Sequence, residues 1–174
     1  MQYVQLIPCL PELHEEMNEI SLTPNEYKNF FIEFYNYWEA SYKKGKSISI
    51  NLFEQIAGMI QSVPPYQCGM RGQCTIQYVI EANGDIYPCD FYCLDEYCLG
   101  NIKEYSFLEI YHSTPARTFL DQSTCTKKPC ESCKYKRIYN GGCRRQNICY
   151  LEDETCAYQE VLDTIIPRIQ KMMR

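Results

Sequence analysis

The spacing of its cysteines constrains this chain more than any other feature. Cys68, Cys74 and Cys89 fall in one short stretch around a Gly84-x4-Cys89 step, and Cys130-x2-Cys133, Gly141-Gly142-Cys143 and Cys156 follow. Thiolates this close in sequence suit ligation of a metal or iron–sulfur centre better than packing, because short loops can aim several sulfurs at one point. Cys68-x5-Cys74 puts two sulfurs on one loop, and a hairpin through Asn83-Gly84 brings Cys89 back towards Cys74. Three thiolates then converge without any long-range fold. Cys143 is the natural fourth donor, since the glycines before it let the backbone approach closely. Cys130, Cys133 and Cys156 make a second set that lacks one obvious donor. Zinc also takes four thiolates at C-x2-C spacing, so spacing leaves both zinc and iron–sulfur open.

Compartment bears on that choice. Twelve cysteines in 174 residues would read as a disulfide framework in a secreted protein. The stretch Met1 to Ile7 has no basic region and only a short apolar run, so it reads as something other than a signal peptide. No run approaches the ~18 apolar residues of a membrane span. The expectation is a reducing, cytoplasmic setting with metal-bound thiolates and no membrane partner. A formal net charge of −5 argues against nucleic acid, and the basic residues Lys134, Lys136, Arg137, Arg144 and Arg145 offset thiolate charge. Sixteen tyrosines and seven phenylalanines supply core, and aromatics of this kind also line peptide grooves.

The first third reads as α/β. Tyr3 to Pro8 predicts a short buried strand. Thr23-Pro24-Asn25-Glu26 starts a helix, with Thr23 as cap, Pro24 at the first helical position and Glu26 completing a capping box. Tyr27, Phe30, Phe31, Phe34, Tyr37, Trp38 and Tyr42 recur at helical spacing over about five turns, up to Lys43-Lys44-Gly45-Lys46. Ser47 to Asn51 predicts a second strand and Phe53 to Ile60 a second helix. Two βα units cannot complete a sheet or barrel, which suggests the C-terminal part of something larger. Composition shifts at Val63-Pro64-Pro65, giving expected domains 1–64 and 65–174. The second is short-stranded and loop-rich: a strand over Thr75 to Ile80, a hairpin at Asn83-Gly84, a helix over Phe107 to His112, loop from Cys130 to Cys149, and a terminal helix over Thr155 to Met173 that bends near Pro167.

Cys68-Gly69-Met70, Pro88-Cys89-Asp90-Phe91, Leu99-Gly100-Asn101-Ile102 and Asn140-Gly141-Gly142-Cys143-Arg144-Arg145 resemble the SPASM domain of radical S-adenosylmethionine enzymes. Among these, Pro88-Cys89-Asp90-Phe91 followed by Leu94-Asp95-Glu96-Tyr97 resembles the anaerobic sulfatase-maturating enzymes, and the likeness runs from Tyr3 to Arg174. The resemblance implies the last two βα units of a partial TIM-like barrel, followed by a small irregular α+β iron–sulfur domain. It implies two auxiliary 4Fe-4S clusters, the first on Cys68, Cys74, Cys89 and Cys143. The second would use Cys130, Cys133, Cys156 and a thiol at the position where this chain has Tyr139, so one cluster is expected and the second is in question. Cys125 and Cys149 are alternative donors for it.

The activity implied is oxidation of a cysteine or serine of a sulfatase to formylglycine. A radical formed at a barrel cluster abstracts hydrogen, Asp90 acts as general base, and a flavodoxin or ferredoxin serves as electron donor. The Cys-x3-Cys-x2-Cys motif that binds S-adenosylmethionine in that family is absent here, so that cofactor belongs to a full-length enzyme and this chain alone is expected to be inactive. Asp90 without the resemblance would read as a carboxylate capping a turn. Another SPASM peptide-modifying enzyme and a noncatalytic iron–sulfur or zinc module are the alternative readings. Cys93 and Cys98 read as small packed residues, and His112 as a surface residue.

Overall fold

The computed structural model describes residues 3–46, 48–122, 128–152 and 154–174. Strands β1 (Tyr3–Val4) and β2 (Ser49–Ile50) pair in parallel, with Tyr3 opposite Ser49 and Val4 opposite Ile50. A parallel pair needs a crossover, and helix α1 (Pro24–Tyr42) provides it. The strand expected over Tyr3 to Pro8 is therefore shorter. Its partner offers two residues before helix α2 (Asn51–Ile60) begins, and Tyr3 is half exposed.

Helix α1 starts as its sequence dictates. The Glu26 amide donates to Thr23 Oγ1 at 3.3 Å, and the Thr23 amide donates to Glu26 Oε2 at 2.9 Å. Only part of the aromatic stripe packs: Tyr27 and Phe31 are buried, as is Tyr35, which the stripe did not include; Phe34 and Trp38 pack against that core, and Phe30, Tyr37 and Tyr42 are exposed. Helix α2 adds Phe53, Ile56 and Met59 to the same core. The last helix of the chain (Ala157–Met172) lies across both. It inserts Val161, Leu162, Ile165 and Ile169, and Pro167 within it withholds one helical amide.

The remainder forms a smaller layer. After a single helical turn, α3 (Cys68–Arg71), strands β3 (Val79–Ile80), β4 (Asp85–Tyr87) and β5 (Gly100–Asn101) make an antiparallel sheet in the order β3-β4-β5. The Asn83-Gly84 turn is present, with Gly84 at φ +97. Tyr78 at φ +55 breaks the alternation, so the strand read over Thr75 to Ile80 pairs only at its last two residues. Helix α4 (Phe107–His112) carries its own capping box from Ser106 and Glu109. Helix α5 (Thr114–Asp121) follows at once, capped by Ser113. Ile86, Leu99, Ile110 and Ala116 form a core beneath them.

The stretch Cys130 to Cys149, expected as loop, instead contains α6 (Lys128–Glu131), α7 (Lys136–Tyr139) and a 3-10 turn at Gln146–Cys149. Local bonds close these turns, among them Tyr139 N–H to Tyr135 O and Asn140 N–H to Lys136 O, both 2.9 Å. The terminal helix is thus α8. Among the described residues no helix is long and apolar enough to cross a membrane.

Candidate metal centre

Cys68, Cys89 and Cys143 line one cleft of ≈ 420 Å³, together with Asp90 and Gln77. Cys68 opens α3, and Gln77 Nε2 donates to its sulfur at 3.6 Å. Cys89 is buried at the end of β4. Cys143 reaches the cleft from the turn after α7. A Cβ at position 69 would lie 3.3 Å from Cys143 Cβ, so Gly69 lets the two chain segments touch. Cys74 packs just behind, in an apolar cluster with Cys89, Tyr92 and Phe119. Its thiol sits within the electrostatic reach of Cys143 and Cys68. The four thiols of the first set therefore share one neighbourhood.

Burial pushes the Cys74, Cys89 and Cys143 thiols up. Cys89 is raised strongly, by burial and by Asp90, with the Phe91 amide opposing. Cys143 is raised by burial, opposed by the amides of Gln146 and Arg145. Cys74 is raised by burial, opposed by Arg144. A metal that takes thiolates would displace these protons on binding. Cys89 Sγ donates to Asp90 Oδ1 at 3.1 Å, and Asp90 is exposed on the cleft.

The Arg144 guanidinium stands 4.2 Å from the Phe119 ring centre and 4.9 Å from that of Tyr92. Its Nε donates to Tyr92 Oη at 3.0 Å, and Nη1 to the Phe119 carbonyl at 3.4 Å and to Gln122 Oε1. Its Nη2 is buried without a partner among the described residues. A fixed cation with a spare donor beside four thiols fits a negatively charged cofactor. Among the described residues, no three Cys, His, Asp or Glu side chains stand close enough to share a single metal ion.

Cys130, Cys133 and Cys156 line a second, much smaller cavity of ≈ 20 Å³ with Tyr139, Tyr150 and Tyr158. Cys156 also caps α8, its sulfur accepting from the Gln159 amide at 3.4 Å. Tyr139 is 8% exposed, and its ring stacks on Tyr158 at 4.2 Å between centres. Its hydroxyl donates to Tyr150 Oη at 2.8 Å. Burial holds both phenols well above the usual tyrosine range. Cys149 lies elsewhere, fully buried, with Sγ donating to the Cys9 carbonyl at 3.5 Å and its thiol pushed up to about 11 by burial. Cys125 lies outside the described residues. Cys93 and Cys98 are half-buried and donate to the carbonyls of Cys89 and Gly100. His112 is exposed beside Arg117.

Asn51, which sequence reasoning missed, also lines the cleft, hydrogen-bonded to Gln55. Asn51 and Gln55 are 2% and 5% exposed. Gln55 Nε2 donates to Asn51 Oδ1 at 2.6 Å and to Gln67 Oε1 at 2.7 Å, and Tyr66 Oη donates to Asn51 Oδ1 at 2.7 Å. The available signal was a pair of amides four residues apart on the apolar face of α2.

Residues 68–134 match SPASM, an iron–sulfur cluster-binding domain. The chain is 36% identical over 146 residues to the Cysteine-type anaerobic sulfatase-maturating enzyme of Clostridium perfringens (strain ATCC 13124), covering 83% of this chain and 40% of the relative. It is 34% identical over 146 residues to the enzyme of the same description from Clostridium novyi (strain NT), covering 83% of this chain and 39% of that protein. The solved structure of native anSMEcpe with bound AdoMet and Cp18Cys peptide superposes with a TM-score of 0.85 at 32% identity, covering 97% of this chain and 49% of that chain. The chain thus spans about two-fifths of the length of the curated relatives it matches.

Proposed function

Because this chain is a relative of the anaerobic sulfatase-maturating enzymes and carries a SPASM domain, we propose that it is the cluster-bearing portion of a radical S-adenosylmethionine oxidoreductase that converts a sulfatase residue to formylglycine. The relatives matched at 34% and 36% identity are cysteine-type, which favours cysteine over serine as the residue oxidised. The observation that carries the reading is the meeting of Cys68, Cys89 and Cys143 with Asp90 on one cleft, with Cys74 behind.

Cys68, Cys74, Cys89 and Cys143 would hold the 4Fe-4S cluster, and Arg144 would balance its charge. When bound, such a cluster supplies one-electron transfer close to the substrate. Asp90 is exposed beside the ligand Cys89, where a carboxylate can take a proton from a side chain laid in the cleft. The amides of Asn51 and Gln67, both held by Gln55, give that wall fixed polar groups for an extended polypeptide.

The β1-α1-β2-α2 order supports reading residues 1–64 as the last two βα units of a partial barrel and residues 65–174 as the SPASM domain. S-adenosylmethionine would bind in the full-length enzyme, on a motif outside this sequence. A sulfatase polypeptide is the proposed substrate, a flavodoxin or ferredoxin the proposed electron donor, and the cytoplasm the proposed location. The zinc-module reading is weaker, because residues 68–134 match an iron–sulfur cluster-binding domain.

Anaerobic reconstitution tests the centre. Protein purified without oxygen should bind iron and matching sulfide, and Cys68→Ala or Cys143→Ala should lose most of it. Stoichiometric zinc without sulfide would sink the proposal. Activity is tested in the full-length enzyme, by mass spectrometry of a sulfatase peptide for formylglycine.

A further inference from the structure

We propose that this chain carries one iron–sulfur cluster, with Tyr139 closing the second cysteine set against a cluster of its own. The inference rests on the iron–sulfur reading of the first set. Three observations carry it. The first is space. The cavity between Cys130, Cys133 and Cys156 measures ≈ 20 Å³, room for about one water molecule. The cleft at the first set measures ≈ 420 Å³ in the same molecule.

The second is where the Tyr139 side chain goes. It ends α7, its ring stacks on Tyr158, and its hydroxyl donates to Tyr150 Oη at 2.8 Å. Tyr150 Oη in turn donates to Asn147 Oδ1, with the Cys143 carbonyl 3.4 Å away as its other acceptor. This relay runs towards the first set. A phenol engaged in it occupies the volume of a fourth thiolate without offering a ligand atom to Cys130, Cys133 and Cys156.

The third is that the backbone is fitted to the ring. Asn140, Gly141 and Gly142 all have positive φ, at 47, 88 and 71 degrees, and turn the chain back over Tyr139. A Cβ at position 142 would fall 1.9 Å from Tyr139 Oη and 2.6 Å from Tyr150 Oη. The glycine that sequence reasoning assigned to close approach of a cofactor is required by the tyrosine pair. Tyr139 also carries the loop that presents Cys143, so filling one site supports the other.

Iron and acid-labile sulfide counts on the anaerobically reconstituted chain, with spin counting after reduction, test the proposal. The unmodified chain should bind about four iron and four sulfide and show one spin system. Tyr139→Phe keeps the ring and removes the only atom able to ligate, and it should leave those counts unchanged. Tyr139→Cys opens the cavity and supplies the missing thiol, and it should raise the counts towards about eight. About eight iron in the unmodified chain would overturn the proposal while leaving the iron–sulfur reading intact. So would a drop in iron on Tyr139→Phe. So would Tyr139→Cys protein that retains the first cluster and gains nothing. No iron in any variant would instead overturn the reading of the first set.

Discussion

Asp90 follows a buried cysteine and already accepts a hydrogen bond from it, which separates its two possible duties. If it serves only to fix Cys89, an amide can replace it. Asp90→Asn nearly preserves the side chain's shape and removes a negative charge beside the Cys89 thiolate, so iron loading should hold. In the full-length enzyme, formylglycine formation should fall by ~10²–10⁴-fold, the usual span for loss of a general base. Near-normal product would return Asp90 to the role of a turn-forming carboxylate. Gly72 makes a different demand. At φ +64, its missing Cβ would lie 1.9 Å from the Asn140 carbonyl oxygen, on the turn that leads to Cys143. Gly72→Ala should cost about 1–3 kcal/mol in strain alone. That should lower Tm by roughly 2–12 °C for a domain of this size and reduce bound iron as the Cys143 turn moves. That Asp90 lies beside Cys89 was legible because adjacency in sequence survives any fold, whereas its reading as a base came only from the resemblance. Arg144 between Tyr92 and Phe119 was not, since its aromatic partners lie 52 and 25 residues away along the chain.

Helices carry their boundaries in sequence when the boundary has its own chemistry. Thr23 and Glu26 marked the start of α1, and Thr23→Ala should cost about 1 kcal/mol, read as a lower urea midpoint. Helix α5 was missed because Ser113 serves as both the end of α4 and the cap of α5, and its buried positions are only Ala116 and Phe119. One-turn helices such as α6 and α7 are too short to show any period. Beside the apolar core, ion pairs invisible to local reading also link α1 to α8. Arg168 Nη2 lies 2.8 Å from Glu39 Oε2, its guanidinium 4.7 Å from the Tyr35 ring centre, and Nη1 donates to Asn36 at 2.7 Å. Arg168 and then Lys43 hold the Glu39 carboxyl down to about 2, from an ordinary value of 4.5. A carboxylate whose value is lower in the folded state stabilises fully above its unfolded value. That contribution disappears as pH falls from about 4.5 to about 2. Arg168→Met should lower the urea midpoint at neutral pH and flatten the acid decline over that window. An unchanged acid limb would assign the decline to other carboxylates.

For the molecule as a whole, the local α/β order and the hairpin were readable because each rests on neighbours in sequence. The assembly was not, because its core joins α1 and α2 to a helix more than a hundred residues later. Cofactor loading should act on the entire fold. A group bound only by the folded chain stabilises it by mass action, so reconstituted protein should unfold at a higher temperature than protein stripped by chelator. The chain alone, lacking the Cys-x3-Cys-x2-Cys motif, should leave S-adenosylmethionine intact under reducing conditions, as followed by chromatography. The packing of α1 on α8 also bears on the moment of birth. Translation proceeds from the N-terminus at about 5–20 residues per second. Every cysteine from Cys68 to Cys156 leaves the ribosome before the helix that seals the core. All of these sulfurs are therefore made while the core is still open, and the docking of α8 comes last.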